Sequence, residues 1–288
     1  MVKLGAIDTP AKINLFLRIT GRRADGYHEL DSVFAPIELF DRVQLEIRPS
    51  QSAAIELTCD GAQLPLDSRN LAWRAAESFL KEFGISARVR IALGKNIPAG
   101  AGLGGGSSDA AAVLQLLSSL SGRAGDESLN KIALSLGADV PFFLDPKSSH
   151  VTGIGETRLP IPLPQFHLVL AVPPIEVPTA KVYAGLKRNR WSGPTPDAHL
   201  DVLRRGAVSS DVLVNDLEAS ASALFPEITL TRQVLESVSP LAVSMSGSGG
   251  TVFAIFADAT AATAAADEAR GRLPDSFVIA TRTTAATF

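Results

Sequence analysis

The sequence predicts an α+β protein built as two halves with mostly antiparallel sheets. Three observations carry this. Short apolar or alternating runs fill the first fifty residues. Helical periodicities then follow one another directly, where a parallel βαβ sheet would need a strand between them. After about residue 150 the pattern of strands and helices starts again.

Residues 12–20, 32–39 and 42–47 read as strands, divided by the turn region 21–27 and by Asp41. A strand over 54–58 ends at the turn signal Asp60-Gly61. The polar run 67–70 precedes Leu71, Ala72, Ala75, Ala76, Phe79 and Leu80, whose spacing predicts an amphipathic helix stopping near Gly84. Residues 88–93 alternate as a half-buried strand does. Helices are predicted over 107–120 and 127–136. In the second half, 166–172 is an apolar strand closed by Pro173-Pro174, and helices are predicted over 179–186, 215–224 and 227–238. The Pro/Gly-rich stretch 191–196 is predicted to be a mobile loop. Val243 and residues 251–256 read as strands around a glycine cluster, followed by an alanine-rich helix over 257–272 and a last strand over 277–280. There is no internal repeat.

The 288 residues are enough to bury a full core, as one large domain or two modest ones. A net charge of −3 supplies no global positive field for nucleic acid or an anionic membrane. Arg22-Arg23 and the basic run 187–190 are expected on solvated surface, and remain compatible with a phosphorylated or carboxylated small ligand. The single cysteine, Cys59, allows no internal disulfide and belongs to no zinc-spaced group; it is expected to be a buried thiol. No run approaches the ~18 apolar residues of a membrane span, and the N-terminus lacks a signal-peptide core, so a soluble cytoplasmic protein is expected.

The most informative segment is Pro98, Ala99, Gly100, Ala101, Gly102, Leu103, Gly104, Gly105, Gly106, Ser107 and Ser108, standing directly before an alanine-rich helix. Its glycines let backbone N–H groups approach a ligand closely. The helix start adds unpaired N–H donors and the positive end of the macrodipole. Together they make a site for phosphate oxygens. Ser107 and Ser108 could cap the helix, bind a phosphate, or do both. The Walker pattern is absent, since no lysine follows the glycines. Residues 100–105 match GxGxxG, but the preceding strand alternates charged and apolar residues and a second helix follows the first, which excludes a dinucleotide fold.

Residues 98–112 resemble the second motif of the GHMP kinases. Pro10-Ala-Lys-Ile-Asn-Leu-Phe-Leu17 resembles their N-terminal motif, and Ser246-Gly-Ser-Gly-Gly-Thr-Val-Phe253 their C-terminal glycine motif. Within the superfamily, residues 12–17, 21–28 and 136–143 are similar to the branch that phosphorylates 4-diphosphocytidyl-2-C-methyl-D-erythritol in the non-mevalonate route to isoprenoids. The resemblance implies an N-terminal α/β domain of the ribosomal protein S5 domain 2-like type over 1–155 and a ferredoxin-like C-terminal domain over 156–288. It implies ATP as phosphoryl donor, with Mg²⁺ carried by the nucleotide and no protein ligand assigned to it. The chain is expected as a monomer or homodimer.

Site roles follow from the same resemblance. Asp139 is implied as the base, and Lys12 as the cation that keeps it ionised and stabilises charge on the attacking oxygen. Lys12, Asn14 and Phe16 alternate on one strand face, so Lys12 and Asn14 can point together. Tyr27 and His28 are implied at the cytidine end of the substrate, His28 on the cytosine edge and Tyr183 stacked on the base. Asn14 and Thr179 are further substrate candidates. Asn70 and Lys95 match positions near adenine and ribose. As bare residues, Asn70 is a good N-cap and Lys95 a solvated strand-end charge. Asp109 is read as a first-turn carboxylate favouring the helix dipole, which could also face Mg²⁺. Gly250 stands where the family often has a larger small residue. Another small-molecule kinase of the superfamily, or a non-catalytic nucleotide sensor of the same fold, are the alternatives.

Overall fold

A computed structural model describes residues 1–122 and 127–284. The chain divides into two compact units, Met1–Ala11 with Leu39–Ala99 and Gly104–Pro146, and Lys12–Glu38 with Gly100–Leu103 and Lys147–Phe288. Two long strands, β1 (Lys3–Arg22) and β2 (His28–Pro49), contribute residues to both.

In the first unit, β4 (Ala87–Gly94) pairs antiparallel with the C-terminal half of β2 and parallel with β3 (Ala54–Asp60). Ala87, Val89, Ile91 and Leu93 are buried while Arg90 points outward, so the period-two pattern sets one face against the core. Four helices complete the unit: α1 (Leu71–Glu82), α2 (Gly105–Ser121), α3 (Ser128–Leu136) and α4 (Val140–Phe143). Helix α1 packs on α2 and buries Ala72, Ala75, Ala76, Phe79 and Leu80, three of them alanines small enough to allow close approach. Asn70 is its N-cap, its side chain accepting from the Ala72 N–H at 2.9 Å.

In the second unit, β5 (Ser149–Gly153) pairs antiparallel with the start of β2 and with β6 (Thr157–Pro160). The elements that follow are β7 (His167–Val172), α5 (Thr179–Ala184), a single 3₁₀ turn (Arg188–Arg190), α6 (Asp197–Arg204) and α7 (Glu218–Leu224). Then come α8 (Pro226–Ser237), β8 (Ala242–Met245), β9 (Val252–Phe256), α9 (Ala259–Arg272) and β10 (Phe277–Arg282). Strands β7 to β10 form an antiparallel sheet in the order β10-β7-β9-β8, with α8 and α9 supplying the crossovers of a ferredoxin-like βαββαβ arrangement. Val169, Ala171, Val252 and Ala254 of the sheet meet Val234, Leu235, Ala262 and Ala266 of the helices in one apolar cluster. Ala262, Ala265, Ala266 and Ala269 of α9 are buried in that cluster, and Asp258 caps the helix by accepting from the Ala261 N–H at 2.8 Å.

Several expectations need correction. Asp41 does not divide two strands, because β2 runs on through it. Its carboxylate is satisfied from within the unit, as described below. The helix placed at 215–224 starts at Glu218; Asn215 instead donates to the carbonyls of Met245 and Gly247. The stretch 191–196 is tied down: Ser192 donates N–H and hydroxyl to Asp216, Gly193 N–H to the Ile19 carbonyl, and Thr195 N–H to Asp31. Cys59 is only half-buried, on the edge strand β3. Strands β5 and β6 and helix α6 had no distinct sequence signal. Replacing Asn70 by Ala is expected to lower stability by about 1 kcal/mol through loss of the α1 cap, read by urea denaturation.

Candidate active site

The glycine segment is a chain of left-handed turns. Gly100, Gly102 and Gly104 have φ of 66°, 76° and 75°, which L residues with a Cβ rarely adopt. A methyl on Gly102 would stand 2.5 Å from the Ser246 carbonyl oxygen. In the second unit the carbonyls of this segment are answered one by one. Ala101 accepts from the Thr251 N–H and hydroxyl, at 3.1 and 2.7 Å. Gly102 accepts from the Ser246 hydroxyl at 3.0 Å, and Leu103 from the Lys12 N–H at 3.0 Å. Gly250 follows from the same packing: its φ is 93° and a Cβ there would lie 3.0 Å from Ala101 Cα.

In the first unit the segment runs into α2. The helix begins at Gly105, with Gly104 as a backbone-only N-cap and no side-chain cap, so neither Ser107 nor Ser108 caps it. Ser108 is buried and donates its hydroxyl to the Pro10 carbonyl at 2.6 Å. Ser107 is part-exposed, and its hydroxyl has no hydrogen-bond partner among the described residues. The first N–H groups of α2 therefore lack both helical and side-chain acceptors, an arrangement suited to phosphate oxygens.

Lys95 is not a solvated charge. Its side chain is 3 % exposed and its ammonium is held between Asp41 and Asp109, the latter at 2.6 Å. The other oxygen of Asp41 accepts from the N–H groups of Asn96 and Ile97 at 2.7 and 2.9 Å. Asp109 is the fifth residue of α2 rather than a first-turn residue, and its Oδ1 is buried without a hydrogen-bond partner among the described residues. One ammonium cannot fully neutralise two carboxylates. Burial pulls Lys95 down, but Asp109 and Asp41 outweigh it and hold the amine above its usual value. Asp109 is pushed up to about 6, by burial first and against the pull of Lys95, with Asp41 adding like-charge repulsion.

In the second unit, Lys12 and Asn14 are buried on β1, with Lys12 Nζ donating to Asn14 Oδ1 at 2.6 Å and lying 4.4 Å from the Phe34 ring centre. Asn14 donates to Ser32 Oγ at 2.9 Å, and its backbone N–H to Ser246 Oγ at 3.2 Å. Burying a lysine on a strand demands such a polar row.

A separate cleft of about 1000 Å³ in this unit is lined by Thr20, Arg22, His28, Tyr183, Arg188 and Trp191, among others. The His28 ring lies 5.3 Å from Tyr183 and, edge-on, 5.7 Å from Trp191. Burial, and then the Arg22 charge, lowers the His28 pKa and so favours the neutral ring. That form offers one donor and one acceptor.

Family models for the GHMP kinases N terminal domain and the GHMP kinases C terminal match residues 70–145 and 199–275. A protein of Chlorobaculum parvum named 4-diphosphocytidyl-2-C-methyl-D-erythritol kinase is 40 % identical over 91 % of this chain and 92 % of its own. The chain belongs to this family of GHMP kinases. The Geobacter metallireducens protein of the same name is 39 % identical over 96 % of this chain and 97 % of its own. Among solved structures, one described as 4-(cytidine 5'-diphospho)-2C-methyl-D-erythritol kinase superposes with a TM-score of 0.82 at 38 % identity. It covers 97 % of this chain and 100 % of its own. A homoserine kinase from Cytophaga hutchinsonii, at 18 % identity and a TM-score of 0.75 over 98 % and 95 % of the two chains, shares the fold.

Within this GHMP kinase, His28 and Tyr183 come together in one cleft, while Tyr27 is 63 % exposed and is not among the residues lining it. Thr179 lies at the start of α5, its hydroxyl 2.8 Å from that of Ser248. Asp139 sits part-buried in the first unit between α3 and α4. The amide of Asn70 is engaged locally, accepting from Ala72 and donating to the Pro65 carbonyl at 3.0 Å. Sequence reading missed Trp191, Asp41 and Ser32. An aromatic inside a Pro/Gly-rich loop was a usable signal for the first; a lone acid inside an apolar strand was one for the second.

The folded carboxyl of Asp109 titrates at about 6 against 3.8 unfolded, so the folded state binds the extra proton between those values. Stability contributed by this group is therefore lost as pH rises from about 4 to 6. Asp109→Asn is expected to remove that part of the slope, measured as melting temperature against pH.

Proposed function

We propose that this chain transfers the γ-phosphoryl group of ATP to the 2-hydroxyl of 4-diphosphocytidyl-2-C-methyl-D-erythritol, giving the 2-phosphate and ADP. The observation that carries the phosphoryl-transfer reading is the start of α2, uncapped by any side chain and preceded by left-handed glycines. Residues 98–108 hold the nucleotide phosphates, with backbone N–H groups and the Ser107 hydroxyl as donors. Asn70 and Lys95 belong to the nucleotide side by family resemblance. Asp139 takes the proton of the attacking hydroxyl, and Lys12 stabilises the negative charge that develops on its oxygen.

The cytidine end of the substrate occupies the cleft of His28 and Tyr183. An aromatic face suits a pyrimidine ring, and a neutral imidazole matches an amide-like base edge. Asn14, Tyr27 and Thr179 are the remaining substrate contacts in this reading. Among the described residues no group of three or more His, Cys, Asp or Glu could hold a metal. Mg²⁺ is assigned in this reading to the phosphates of ATP, whose charge it neutralises during transfer. The functional division is 1–155 for the nucleotide-binding domain and 156–288 for the C-terminal domain. The protein acts in the cytoplasm as a monomer or homodimer; no described helix is long and apolar enough to cross a membrane.

ADP release with Mg·ATP is expected only with the cytidine compound, and not with mevalonate, homoserine or galactose. Turnover with another of these acceptors would move the substrate and keep the mechanism. Asp139→Asn is expected to lower kcat by at least about a hundredfold while ATP still binds. A loss of ATP binding as large as the loss of rate would remove Asp139 from the role of base.

A further inference from the structure

Five contacts in the first unit converge on the two ends of the glycine segment. At its start, the Lys95 N–H donates to the Asp60 carbonyl at 2.9 Å. The Asp60-Gly61 turn presses so closely on the Lys95 carbonyl that a methyl on Gly61 would stand 2.3 Å from it. One step on, Asp41 reaches out of β2 and accepts the N–H groups of Asn96 and Ile97 on a single oxygen. At its end, Asp109 on the second turn of α2 meets the same ammonium that Asp41 holds. Gly105 closes the remaining gap: a methyl there would lie 3.0 Å from Ile97 and 3.4 Å from Lys95 Nζ. Asp41, Lys95 and Asp109 are all buried, at 0 %, 7 % and 2 % exposure.

We infer that Asp41 is a positioning residue for nucleotide binding, joined through Lys95 to Asp109 in a clasp that fastens both ends of the 95–109 segment. This rests on the reading of that segment as the ATP phosphate loop. With its ammonium committed to two carboxylates, Lys95 serves the nucleotide by holding the loop's ends rather than by placing its charge on a phosphate. A glycine-rich segment loses much conformational entropy when a ligand orders it. Fastening its ends beforehand removes part of that loss from the binding step. The effect falls on ATP affinity and leaves the cytidine cleft alone.

The test uses the whole protein below its melting temperature, with Kd for ATP by calorimetry and KM for each substrate. Asp41→Asn keeps an acceptor for Asn96 and Ile97 but turns an amide donor toward Lys95. It is expected to weaken ATP binding by about tenfold, with KM for the cytidine substrate within about twofold. Should that variant not fold, Asp109→Ala decides the matter, because it leaves Asp41 and Lys95 charge-balanced. It is expected to weaken ATP by about fivefold, and Asp109→Asn, which can still accept from Lys95, to restore affinity to within about twofold. Folded variants that bind ATP as the unaltered protein does would overturn the clasp. So would equal losses for both substrates, which a general structural defect produces. Failure of the unaltered protein to bind ATP would overturn the phosphate-loop reading itself.

Discussion

A lysine ammonium sealed between two carboxylates organises the first unit. Withdrawing a charge from water is unfavourable unless partners replace the lost hydration. Lys95 finds them in Asp41 from β2 and Asp109 from α2, so one charge ties a strand end, a neighbouring strand and a helix. Removing the ammonium alone would leave two buried carboxylates facing each other, a loss on the order of 3–5 kcal/mol by analogy with broken buried pairs. The arrangement has its own internal tension: two acids share one base, and burial with the neighbouring Asp41 charge pushes the Asp109 carboxyl up to about 6. That tension is confined to a point where the chain must turn sharply from β4 toward the glycines.

The second unit solves a different problem, that of a glycine run with no side chains to satisfy its own carbonyls. Buried carbonyls need donors. Ser246 and Thr251 supply hydroxyls, and Thr251 and Lys12 supply N–H groups. The glycines at 247, 249 and 250 then have a plain steric purpose, since all three have positive φ and stand where a Cβ would crowd a neighbour. Ser246 also accepts from the Asn14 N–H, which links this turn to the polar row Lys12–Asn14–Ser32 on the buried strands. Lys12 is thereby held in one orientation by hydrogen bonding and by the Phe34 ring, a condition for any precise electrostatic role.

Periodicity located most elements because it reports burial on one face. The run 71–80 and the alternation at 88–93 met helix α1 and strand β4 almost residue for residue. It failed where burial is not one-sided or where polar side chains are satisfied at long range. Asp41 read as a strand break because a buried carboxylate looks like a turn residue when its partners are 54 positions away. Residues 191–196 read as loose because Asp216 and Asp31, which tie them, are distant in sequence. Trp191 read as part of that loop for the same reason: its ring partner His28 is distant in sequence.

The amino-acid sequence by itself determined the family, the α+β class and the position of the glycine segment. Motifs at 10–17, 98–112 and 246–253 are local, and local backbone preferences such as positive φ at glycine are written in the residue type. Tertiary structure decided which charges are buried and with what. Whether Lys95 faces water or two carboxylates, and whether Ser108 caps a helix or donates to Pro10, depends on groups brought in from 14 to 98 residues away. Side-chain environment is a property of the packed chain, and long-range packing leaves no mark in a window of neighbouring residues.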